Sequence, residues 1–156
     1  MQTNYSDYKT ELEKNGVIAF VPGGNSMWPT LKNRKQSVVV KTKTERLKRF
    51  DVALYLRPEG TFVLHRVMDK TDNGYIMCGD SQLTKESVKE ENVFGVMIGF
   101  YRGEKYIEVT DPDYIKEVET WYGNEKRRKR VLKNFHFRQR VKNKLKRIAK
   151  KIFRKG

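Results

Sequence analysis

Between residues 16 and 110 the chain is cut into short pieces that suit only strands. GVIAFV (16–21), SVVVKT (37–42), DVALYL (51–56), TFVLHRVM (61–68), GYIMCG (74–79), VFGVMIGFY (93–101) and KYIEVT (105–110) are rich in Val, Ile, Phe and Tyr. β-Branched and aromatic side chains pack well on a pleated surface, and none of these runs is long enough for an amphipathic helix with a core-facing stripe. PGGN, RPEG, TDNG and YRGE separate them, with glycine, proline and Asx residues that favour turns. RPEG and TDNG fit tight hairpin turns. This punctuation predicts a mostly β core of antiparallel hairpins.

The flanks change period. Tyr5, Tyr8 and Leu12 recur at helical spacing and Asn15-Gly16 is a stop signal, so residues 5–14 are expected to form a short amphipathic helix. Asp111 suits a helix N-cap and Pro112 the first helical position, with Tyr114, Val118, Trp121 and Tyr122 along one face before Gly123 interrupts. Val141, Leu145, Ile148 and Ile152 then make one stripe in a Lys/Arg background. The expected organisation is an N-terminal helix over 1–15, a β core over 16–110 and a helical basic tail over 111–156. Charge follows the same division. The net charge is +15, yet residues before Lys126 hold 18 Lys or Arg against 19 Asp or Glu, and residues 126–156 hold 16 basic residues and no acidic one.

Three residues in the core have the chemistry of a hydrolytic site. Ser26 lies in GGNSMWPTL, a glycine- and proline-rich segment that presents a hydroxyl on a rigid turn. A serine in such a turn is more often only a turn residue, and as a nucleophile it needs a base within hydrogen-bond reach. His65, in FVLHRVM, is the histidine outside the basic tail. It is either a satisfied strand histidine or a base with an ordinary pKa of about 6.5. Asp80, in CGDSQ, follows the next strand, where a hairpin brings it near His65. Its roles are a turn cap or the carboxylate that orients the imidazole. Arg66 alternates away from His65 and suits a carboxylate partner or a solvent-facing position, and Asp51 suits a turn. Met27 and Trp28 are candidates for a substrate groove or for core packing. Cys78, the single cysteine, has apolar neighbours and suits an inert strand position.

The combination resembles a known superfamily. SMWPTL resembles the SMxPTL box of signal peptidases and of LexA-type self-cleaving repressors. FDVALYLRP resembles the GDVVxF strand, LHRVM the strand that carries the base, GDSQLTKESV the GDN box, and VFGVMIGFYR a later strand. Order and spacing agree over about residues 16–110. The resemblance implies a signal-peptidase/LexA-like coiled β-fold and a serine endopeptidase. In it Ser26 is the nucleophile, Asp80 the GD-box aspartate, and the nucleophile's own N–H an oxyanion donor. The base is lysine in bacterial signal peptidases and in the repressors. His65 stands there as in the archaeal and endoplasmic-reticulum type, and Glu86 either falls near a second acidic position of that type or is a solvated loop charge. The chain departs from the pattern at Phe50, where the family has glycine, and at Ser81, where it has asparagine, and no membrane anchor is evident.

The resemblance implies a peptide or leader substrate, with no metal or cofactor. One cysteine and two histidines give no zinc-ligand spacing. Self-cleavage is disfavoured, because only 25 residues precede Ser26 and no helix-turn-helix pattern lies among them. Neither an apolar signal segment nor a membrane-spanning run is evident, so a cytoplasmic place is expected, with the tail a candidate for peripheral attachment to the inner face of a membrane. For residues 126–156 an anionic membrane surface is the preferred partner. Nucleic acid is the competitor, and docking on the protein's own core the bland reading. The alternative function is a non-catalytic module of the same fold that binds membrane or nucleic acid through this tail.

Overall fold

The computed structural model describes residues 7–153. Tyr5, expected in the first helix, lies outside them. α1 (Asp7–Asn15) leads into β1 (Val17–Phe20), β2 (Val38–Thr42), β3 (Val52–Leu56), β4 (Phe62–Thr71), β5 (Gly74–Cys78), β6 (Glu86–Lys89), β7 (Val93–Arg102) and β8 (Lys105–Glu108). α2 (Pro112–Gly123) and α3 (Glu125–Phe153) follow. The core is therefore mostly antiparallel β, as the punctuation predicts.

The strands form one sheet in the order β1-β2-β7-β3-β4-β5-β6, with β8 also on β7. The turn chemistry acts where expected. Asp72 and Asn73 close the β4–β5 hairpin between paired Thr71 and Gly74. In RPEG the Gly60 N–H donates to Arg57 O, and Gly60 takes a φ of 80°, a left-handed value a side chain would oppose. β6 is the strand the sequence hides. ESVK has one apolar residue, Val88, and forms only because β5 offers a ladder from Gly74 to Met77.

One face of the sheet buries Ala53, Tyr55, Val67, Tyr75, Met77, Val88 and Val93 with Leu47. Register extends that row to the site. Ala53 pairs with His65, and Met77 with Glu86, so both polar residues stand on this face. Arg66, one residue on, points to the other face, as its alternation predicts.

Two compact units make up the chain. The first runs to Val118 and the second starts at Glu119, so the division falls inside α2 rather than at 110/111, and α1 shares a unit with the sheet. Within the first unit Asp111 Oδ1 accepts the Asp113 N–H, which caps α2. The Tyr114 ring meets Phe100 at 5.5 Å and Arg102 forks onto Glu117. Within the second, Asn124 Oδ1 accepts the Arg127 N–H at the start of α3. The Arg128 guanidinium lies over the Tyr122 ring at 4.7 Å.

Candidate active site

Ser26 and His65 line one cleft of about 430 Å³, where Tyr8, Phe20, Met27 and Phe62 stand with Lys32, Arg34, Arg57 and Gln82. Ser26 comes from the long β1–β2 connection and His65 from the middle of β4. The β5–β6 connection fixes the serine loop. The Ser81 N–H donates to Ser26 O (2.8 Å) and Ser81 Oγ to Asn25 O (2.8 Å). A Cβ on Gly79 would stand 2.7 Å from Ser26 O, so only glycine lets the two backbones come this close. Among the described residues nothing accepts a hydrogen bond from the Ser26 N–H. That donor is free for an oxyanion.

His65 is 2% exposed, and both of its hydrogen bonds go to Nδ1. Tyr55 Oη and Glu86 Oε1 each lie 3.0 Å from it. Tyr55 has one proton and gives it to Glu86 Oε1 at 2.6 Å. Nδ1 must then be the protonated nitrogen, because the carboxylate only accepts and the phenol has spent its donor. Nε2 is left with a lone pair, the tautomer a general base requires. Arg57 holds the carboxylate from behind, with Nε on Oε2 at 2.9 Å and Nη2 on Oε1 at 2.7 Å.

The electrostatics match this arrangement. Burial pushes the His65 pKa below its ordinary value, and Glu86 only partly opposes it, so the ring is neutral near pH 7. Burial works to raise Glu86, but the Arg57 and Tyr55 hydrogen bonds outweigh it and hold the carboxyl below the usual range. Burial and the Glu86 charge push the Tyr55 phenol far up, so it stays a donor.

Asp80 has a different task from the one expected. It does not hold the His65 ring nitrogen, which belongs to Tyr55 and Glu86. It is fully buried with Arg66, whose Nε and Nη2 each donate to it at 2.7 Å. It also accepts the Thr30 hydroxyl, while Arg66 Nη1 donates to Phe50 O (2.8 Å) and Tyr114 Oη (3.2 Å). Asp80 thus joins the serine loop, β4 and α2 through Arg66. The expectation failed because alternation gives the next strand's aspartate the face of Arg66 rather than that of His65. Met27 is both buried and in the cleft, and Trp28 is not among the cleft-lining residues. Cys78 is buried, with Sγ 3.3 Å from Gln82 O. Sequence reasoning missed Tyr55, Arg57 and Thr30 altogether. The one available signal was period two, which puts Tyr55, Val63 and His65 on one side.

No known family model matches the chain, and no curated protein sequence matches it.

Proposed function

We propose that the chain is a serine endopeptidase of the signal-peptidase and LexA-like kind, with a Ser26–His65 dyad oriented by Glu86. The observation that carries this reading is the shared cleft. Ser26 and a buried histidine line the same cleft, with a carboxylate fixed on the histidine's Nδ1. Among the described residues no hydrogen bond joins Ser26 Oγ to His65, so the contact would have to tighten on a bound peptide.

The chemistry follows from these positions. Ser26 Oγ attacks the carbonyl carbon of a peptide bond as Nε2 removes its proton. The Ser26 N–H donates to the oxyanion. The imidazolium, stabilised by Glu86, returns its proton to the leaving amine, and water then releases the acyl group by the same route. Substrates in this reading are peptides or leader segments.

The test is cleavage of a mixed peptide library followed by mass spectrometry, with Ser26→Ala and His65→Gln as controls. Loss of about 10³-fold or more in kcat/KM in both variants supports the dyad. If no peptide is cut, or Ser26→Ala cuts as well as the parent, the peptidase reading fails. The chain is then a binding module of this fold.

A further inference from the structure

One face of α3 is apolar and open. Phe137, Val141, Leu145 and Ile148 are spaced four, four and three residues apart, which puts them in one row on a 3.6-residue repeat. They are 61, 43, 61 and 45% exposed. Soluble chains rarely leave four large apolar side chains in a continuous row unless something covers them. Arg138, Lys142 and Lys146 flank the shallow depression that Phe137, Val141 and Leu145 form. From Lys133 to Lys150 the helix carries eight Lys or Arg and no Asp or Glu.

We propose that this face of α3 seats on an anionic lipid bilayer. The helix lies in the plane of the surface. The four apolar side chains enter the boundary between headgroups and acyl chains, and the flanking cations meet lipid phosphates and carboxylates. Charge complementarity selects this occupant. A second copy would bring two like-charged rows together. A nucleic acid would satisfy the cations and leave the apolar row in water. A bilayer with acidic headgroups satisfies both at once. Among the described residues no helix is long and apolar enough to cross a membrane, so contact at the surface is the mode left to α3.

The test uses the full chain with phosphatidylcholine vesicles, with and without phosphatidylserine, and with a short DNA duplex. Cosedimentation should be at least tenfold stronger on the acidic vesicles and should weaken as salt is raised. The double variant Phe137→Gln/Leu145→Gln keeps every charge. It should lose at least tenfold in vesicle binding while its duplex binding and its helical circular dichroism stay the same. Three outcomes overturn the proposal. One is equal vesicle binding by variant and parent. Another is tight duplex binding with no vesicle binding. The last is a lipid-free dimer in sedimentation equilibrium that the variant abolishes. None of these readouts depends on peptidase activity.

Discussion

Burial sets the behaviour of His65, and its effect has a sign that can be checked. The ring is held neutral, with a pKa below about 6.5, so the acid limb of kcat/KM should fall below that value. Glu86→Gln removes a charge that raises His65 and a partner that fixes its tautomer. The limb should then move to lower pH while kcat falls by roughly 10²- to 10⁴-fold. Stability carries the same signature. As pH falls from about 6.5 to the depressed His65 value, the unfolded chain takes up the proton first and stability drops. Glu86 adds a second loss at lower pH, as its own depressed pKa is passed. Urea titrations of the parent and His65→Gln across this range should differ only in the first window. On the opposite face, Asp80→Ala strands the Arg66 charge in a fully buried place. A loss of about 3–5 kcal/mol in urea unfolding is expected, and Asp80→Ala/Arg66→Met should recover part of it. Ser26 and His65, which line one cleft, stood out as candidates because each sits in a short local segment with recognisable chemistry. The Tyr55–Glu86–Arg57 support did not. Its three members lie on β3, on β6 and just past β3, and only strand register brings them together.

At the level of elements, the β5–β6 connection acts as a clamp on the serine loop. Gly79→Ala drives a methyl group into Ser26 O and must displace the loop. Activity should fall by more than tenfold, whereas Ser81→Ala removes the hydroxyl that donates to Asn25 O, a bond worth about 1 kcal/mol, and keeps the Ser81 N–H on Ser26 O. Peptide kinetics set beside thermal melts separate the two. Phe50 shows the cost of a side chain at a strained backbone position. Its φ is 76°, a conformation that glycine adopts freely. Phe50→Gly should therefore cost less than Phe50→Val, although it removes a larger side chain, because a β-branched residue tolerates that conformation worst. The strands of high β propensity were legible as strands. β6 was not, since two of its four residues are charged and its pairing with β5 supplies the ladder that its composition does not suggest.

Charge partition was the most legible property of the whole molecule. Every acidic residue precedes Lys126, and the structure places the cleft wholly within the unit that ends at Val118. A chain ending at Gly123 should keep the sheet and any peptidase activity, and gel filtration with peptide kinetics would check both. Strand order, by contrast, was not readable, since periodicity identifies strands and not their neighbours. β7 is the clearest case. It pairs with β2, β3 and β8, and among the described strands it alone carries the sheet from the β1–β2 pair to the β3-to-β6 meander. This has a consequence in time. A chain growing on the ribosome can make the β1–β2 pair and the β3-to-β6 meander first, but the sheet that unites them must wait for residues 93–102. Until that strand is made, no continuous sheet holds the Ser26 loop and the His65 strand in place.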